Sequence, residues 1–176
     1  MRFGVGACGV HDGRKAVPNQ RCSIVAYMVR ERQPTMPKRG RDEPEAAAAA
    51  DRPSPPFACE RVAAPMVGCS DLAFRLLCRR HGATAAYTEM LFASRFVSDT
   101  EYRTRKLQTC AEDHPLVVQF AANEPEVLAA AARLAEEEGC DAVDLNLGCP
   151  LPQAREGCFG AYLLDREHWG LVVAMV

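Results

Sequence analysis

Four residue types that do chemistry in enzymes fall just past four short apolar runs of this chain. Asp141-Ala-Val-Asp-Leu-Asn-Leu-Gly-Cys149-Pro150 begins as a buried strand and ends in a tight turn that brings Asn146 and Cys149 together. Gly148 and Pro150 stop the strand at that point. Glu89 follows Thr84–Tyr87, Gln119 lies in Leu116–Phe120, and a Pro65-Met66 corner ends Val62–Ala64. A thiol, a carboxylate and two amides can donate and accept protons, hydrogen-bond a heterocycle and orient a polar substrate. Each also has a plainer reading. Cys149 could be a small core hydrophobe. Glu89 could favour the start of the next helix. Gln119 could satisfy loop backbone, and Asn146 could hold its own turn. Taken together on one rim, the four read as a pocket.

They share a rim only if the strands are parallel, and the flanking segments imply that they are. Ser70 and Asp71 open a helix to His81, closed by Gly82, with Ala73, Leu76 and Leu77 expected on the core face and Arg75, Arg79 and Arg80 opposite. Phe92 to Leu107 reads as one or two short helices. Asn123 is expected to cap a helix from Pro125 to Glu138 with the stripe Val127, Leu128, Ala131, Leu134 and Ala135, and Asp165 to cap a last helix carrying Trp169, Val172 and Met175. Strand and helix thus alternate four times through short connections, which implies a parallel sheet with helical crossovers. Parallel strands present their C-terminal ends to one edge, where α/β enzymes carry their sites. A barrel and an open doubly wound sheet both fit this periodicity. Gly157–Ala161 could bring its backbone close to a ligand. No GxGxxG or GxxxxGK[ST] pattern occurs.

Composition narrows the class. The 176 residues carry a net charge of −2 and are 48% hydrophobic, enough for one modest core, without the charge for bulk nucleic-acid binding. No membrane span is expected. Nine cysteines, an odd number with no C-x-x-C pair, favour free thiols over a zinc site or a disulfide framework. Residues 1–56 hold seven prolines, many charges and the run Ala46–Ala50, and are expected to be a disordered extension. Within them Ser23–Val29 could be a strand without an obvious partner, and Lys38-Arg39-Gly40-Arg41 reads as a solvated charge run.

The motifs in order, Val62-Ala-Ala-Pro-Met66, Ser70-Asp71, Phe74-Arg75, Tyr87-Thr-Glu-Met90, Val118-Gln-Phe120 and Asp144-Leu-Asn-Leu-Gly-Cys-Pro150, resemble the tRNA-dihydrouridine synthases over about residues 61–176. Arg79-Arg-His-Gly82, Ala121-Ala-Asn-Glu-Pro125 and Gly157–Ala161 look most like the eukaryotic members acting on D-loop uridines 16 and 17. The resemblance implies that residues 57–176 are the first half of an FMN-binding TIM (β/α)8 barrel. It implies FMN as cofactor, NADPH (or NADH) as reductant and tRNA as partner, with no metal. Cys149 would protonate C5 of a flipped-out uracil, as a thiol of ordinary pKa, about 8.5, stays protonated at neutral pH. Pro65, Met66 and Gln119 would contact the flavin, and Asn146 the uracil. Glu89 would position the tRNA. Arg155 stands where close relatives often carry Lys, a swap tolerable at a phosphate contact. The family's later barrel half and helical RNA-binding domain have no counterpart here, so the chain alone is expected to be inactive. An FMN-dependent pyrimidine dehydrogenase and a non-catalytic half-barrel are the alternatives. The compartment is read as cytoplasmic by default, with the nucleus as the alternative.

Overall fold

The computed structural model describes residues 3–6, 25–28, 57 and 59–176. In the first of these, β1 (Phe3–Gly6) and β2 (Val25–Met28) pair antiparallel, so the strand expected within 23–29 has a partner. The expectation of disorder over the rest of 1–56, and the Lys38–Arg41 patch, lie outside the described residues.

From Val62 the chain builds one parallel sheet. Its strands are β3 (Val62–Ala63), β4 (Ala85–Tyr87) with its continuation β5 (Leu91–Phe92), β6 (Leu116–Ala121) and β7 (Ala142–Leu145). β3 pairs β4, β4 and β5 both pair β6, and β6 pairs β7, all parallel. Strands adjacent in sequence are therefore adjacent in the sheet, with no reversal of order. A doubly wound sheet changes direction at a switch point, whereas a barrel adds each strand beside the last. The architecture is that of a partial (β/α)8 barrel.

The helices are α1 (Leu72–Arg80), α2 (Ala93–Ser98), α3 (Thr100–Lys106), α4 (Pro125–Glu137), α5 (Pro152–Glu156) and α6 (Trp169–Met175). Two 3-10 turns, Gly160–Leu164 and Arg166–His168, link the last two. Along β6, alternate residues divide between two faces. Leu116, Val118 and Phe120 join Val143 and Leu145 of β7 in a core with Leu91, Phe96, Leu128, Ala131 and Ala135 on the helical side. Val117, Gln119 and Ala121 face the other way, as do their β7 neighbours Ala142 and Asp144. α4 buries the expected stripe, with Val127 and Leu134 at its margin.

Three local expectations are corrected. α1 is turned over: Arg75 is buried at 1% exposure while Leu77 is 52% exposed. The cause is Asp113, fully buried before β6. Its carboxylate accepts from Arg75 Nε (2.9 Å) and Nη2 (2.7 Å) and from Arg79 Nε (3.2 Å). Arg75 also donates to the carbonyls of Ser70 and Gln108, and Arg79 to those of His114 and Pro115. Two guanidiniums so fully bonded satisfy the requirement for burying charge. Asn123 does not cap α4; Glu124 occupies that position, and the Asn123 amide donates to the Gly157 carbonyl at 3.1 Å. Asp165 precedes a 3-10 turn without a side-chain cap, and α6 starts only at Trp169.

Candidate active site

The rim is built strand by strand. After β3, the Pro65–Met66 corner is pinned by Ser70, whose hydroxyl donates to the Ala64 carbonyl (2.8 Å) and accepts from the Met66 N–H (2.9 Å). Asp71 then caps α1 by accepting from the Phe74 N–H at 2.8 Å. Pro65 is half-buried and Met66 is 38% exposed, which leaves an apolar corner open at the rim.

Between β4 and β5 the chain inserts one residue more than its neighbour: Thr88, Glu89 and Met90 lie opposite only Val118 and Gln119. This is a one-residue bulge, a device that re-aims a side chain at a sheet end. The fully buried Thr88 hydroxyl closes it, accepting from the Gln119 N–H at 3.2 Å and donating to the Glu89 carbonyl at 2.8 Å. Glu89 is thereby swung across the rim. Its carboxylate accepts from the Gly68 N–H (3.1 Å) and pairs with Lys106 Nζ (2.6 Å), tying the β3 loop to the end of α3.

Gln119 is 5% exposed and stands directly in register with Asp144. Its Nε2 donates to Asp144 Oδ2 at 2.7 Å, and its Oε1 accepts from Asn146 Nδ2 at 2.9 Å. Asn146 Oδ1 in turn accepts from the backbone N–H groups of Gly148 (3.1 Å) and Cys149 (3.0 Å). A continuous chain of hydrogen bonds thus runs from a buried carboxylate to the backbone of the candidate nucleophile or acid. Burial pushes the Asp144 carboxyl up to about 7, with the Gln119 hydrogen bond pulling the other way. Its Oδ1 is buried without a hydrogen-bond partner.

Cys149 is half-buried against the cluster of Ala121, Ala154 and Phe159, on which Met90 and Tyr162 also pack. Its carbonyl accepts from the Ala161 N–H at 3.0 Å, and the Tyr162 hydroxyl donates to the Pro150 carbonyl at 3.0 Å. The glycine-rich stretch does make a close backbone approach, and Cys149 is what it approaches. Gly160, at φ +67°, lies against the Cys149 backbone. Phe159 meets Phe92 edge to face, with ring centres 5.6 Å apart. Arg155 is exposed on α5, and its side chain makes no hydrogen bond or ion pair among the described residues.

The structure therefore joins Gln119, Asn146 and Cys149 directly, joins Glu89 to the Pro65–Met66 loop through Gly68, and leaves Arg155 outside these contacts. Sequence reasoning missed Ser70, Thr88 and Asp144 as parts of the site. Asp144 carried a signal, a charged residue at the centre of the four-residue buried run Ala142–Leu145. Burial pushes Cys140 up to about 12, which makes it inert, and all seven described cysteines are free. Among the described residues no cluster of three metal-ligating side chains occurs, and no helix is long and apolar enough to cross a membrane.

This geometry coincides with detailed sequence similarity. A family model described as dihydrouridine synthase (Dus) matches residues 61–176. A Rattus norvegicus protein named tRNA-dihydrouridine(16/17) synthase [NAD(P)(+)]-like is 54% identical over 117 residues, 65% of this chain and 26% of that protein. A Saccharomyces cerevisiae tRNA-dihydrouridine(16/17) synthase [NAD(P)(+)] is 52% identical over 115 residues, 64% of this chain and 26% of that protein. The tRNA-dihydrouridine synthase B of Shewanella oneidensis is 37% identical over 104 residues, 59% and 32% of the two chains. This chain thus spans about a quarter of the length of its eukaryotic relatives. With a parallel barrel segment, a thiol-bearing turn after its fourth strand, and a family match over most of its residues, the chain belongs to the dihydrouridine synthase family.

Proposed function

We propose that this chain supplies the catalytic edge of an FMN-dependent enzyme that reduces a tRNA uridine to 5,6-dihydrouridine, at D-loop positions 16 and 17. The observation that carries the proposal is the Cys149 thiol, held on the Asn146 turn at the C-terminal end of β7 and linked to the buried Gln119 amide. The residues fit a flavin. Gln119 spends one N–H and one lone pair inside the protein and retains one of each for a heterocycle. The pinned, apolar Pro65–Met66 corner suits the face of a ring. When bound, FMN, reduced by NADPH or NADH, supplies the hydride that C6 of the uracil receives.

The protein's own residues supply the rest. Cys149 gives its thiol proton to C5, so that hydride and proton together saturate the C5–C6 double bond. The resulting thiolate regains a proton from water. Asn146 retains one N–H with which to hold a carbonyl of the base. Glu89 acts on the tRNA through the loop it ties, and the exposed guanidinium of Arg155 meets a backbone phosphate.

The test is a chimera in which residues 61–176 replace the matched segment of the Saccharomyces cerevisiae relative, expressed in yeast lacking that enzyme. We expect dihydrouridine to return to tRNA, and Cys149→Ala to lower its formation by about 10²–10⁴-fold with flavin retained. A flavin-loaded chimera that reduces free pyrimidines and leaves tRNA unchanged would favour a pyrimidine dehydrogenase. A colourless, inactive chimera would favour a non-catalytic segment.

A further inference from the structure

We propose that Asp144 is a positioning residue that sets the direction of the amide chain beneath the Cys149 turn, acting through Gln119 and Asn146. The inference rests on the same site as the proposed function, and it concerns how the protein holds that site.

A primary amide is nearly symmetric in shape, so Gln119 and Asn146 could each be turned over with little change in packing. The two ends of their chain are not reversible. At one end stands Asp144 Oδ2, an acceptor, 2.7 Å from Gln119 Nε2. At the other end stand the Gly148 and Cys149 N–H groups, which only donate. With Nε2 on Asp144, Gln119 must offer Oε1 to Asn146. Asn146 must then give Nδ2 to Gln119 and keep Oδ1 for the turn. If Gln119 turned over, its Nε2 would oppose Asn146 Nδ2. If Asn146 followed, its Nδ2 would oppose two backbone donors. Either arrangement sets donor against donor, at the partly buried Gln119–Asn146 contact or at the half-buried turn, where an unmade bond costs more than a made one returns.

The placement of Asp144 supports a directing role. It is 1% exposed, it lies in direct register with Gln119, and no cation pairs with it among the described residues. A buried carboxyl without a counter-charge is costly. Its one hydrogen bond is the one to Gln119, and its second oxygen has no partner. A carboxyl proton therefore belongs on Oδ1 and leaves Oδ2 an acceptor. An asparagine at this position would offer both an acceptor and a donor, so this end of the chain would no longer specify a direction.

The test uses the full chain, with no flavin and no nucleic acid, so that it fails or succeeds independently of uridine reduction. In the unsubstituted protein, couplings across hydrogen bonds are expected from Asn146 15Nδ2 to the Gln119 13Cδ and from Gln119 15Nε2 to the Asp144 13Cγ. Couplings in the opposite sense would overturn the proposal. Hydrogen exchange at Gly148 and Cys149 is then compared in Asp144→Asn, Gln119→Glu and the double variant. Each single change should speed exchange by about tenfold, the weight of one lost hydrogen bond. The double variant exchanges the two roles. The amide introduced on β7 would donate to the carboxylate introduced on β6, and that carboxylate would still accept from Asn146. Protection should then return to within roughly threefold of the parent. Unchanged exchange in both single variants, or a double variant no better than either, would overturn the proposal. If a variant loses protection throughout 116–121, it has unfolded, and the couplings in the unsubstituted protein decide.

Discussion

A Cβ placed on Gly160 would lie 2.6 Å from the Cys149 carbonyl oxygen and 2.9 Å from the Cys149 Cβ. The obstacle is mostly backbone and cannot swing aside, and the φ of +67° is itself unfavourable to an L side chain. Gly160→Ala should therefore destabilise the chain by about 1–3 kcal/mol. It should also raise the alkylation rate of Cys149 relative to the exposed Cys158. Denaturant midpoints and site-resolved mass spectrometry check both. An unchanged Cys149 rate would mean that the contact does not hold the turn.

Gln119→Ala, made in the yeast chimera, should weaken flavin retention or slow flavin reduction while leaving tRNA affinity unchanged. Gln119 lies within β6 beneath the rim, buried between Asp144 and Asn146. Flavin absorbance after gel filtration and a tRNA binding isotherm separate the two effects.

Asp113→Ala should cost roughly 3–5 kcal/mol, because it strands Arg75 and Arg79 without their shared carboxylate. Leu77→Ser on the same helix α1 should change stability by less than about 0.5 kcal/mol. Urea titrations of the two variants test which face of α1 is inward; the reverse ranking would restore the face expected from hydropathy.

Asp144 should leave a signature in the pH dependence of stability. Its carboxyl is raised from 3.8 to about 7 by burial. The folded state thus binds this proton more tightly than the unfolded chain. The group's contribution is fully present below about pH 4 and is lost as pH rises through about 7. Asp144→Asn removes that slope, so the variant should gain on the parent between about pH 4.5 and 7.5, by at most on the order of 4 kcal/mol. Parallel denaturation curves at the two pH values check it. A difference that shrinks with pH would contradict the assignment.

A chain beginning at residue 57 should melt below the full chain, because it lacks the β1–β2 pair, whose β2 lies beside β7. Calorimetry of both chains measures this, and an equal transition for the shorter one would mean that the extension adds nothing to the stability of the barrel.

The elements were legible where local pattern suffices. β6, α4 and β7 lie within a residue or so of where apolar runs, Pro125 and Gly139 put them. Glu89, Asn146 and Cys149 were readable as strand-end residues for the same reason, whereas Gln119 lies inside β6, two residues before its end. What was not legible depends on partners distant in sequence. The inward face of α1 is decided by Asp113, 38 residues beyond Arg75, and no helical periodicity can report it. Asn123 looks like a cap until Gly157, 34 residues away, takes its amide. Sequence could place Gln119 in the third strand, but its bonding to Asp144 and Asn146 required the register of β6 against β7.

The extra residue at Thr88–Met90 makes this stretch sensitive to length in a way that its composition does not reveal. Beyond it, Leu91 is fully buried on the helical side and Phe92 faces the rim against Phe159. Removing one residue here would let the strand run regularly from Tyr87 opposite Val117 to Leu91 opposite Phe120, so Leu91 and Phe92 would keep their faces and the bulge would be gone. It would take with it the bend that swings Glu89 across the rim to Gly68 and Lys106. The spacing between the two half-strands, counted in residues, is itself an inherited character of the site.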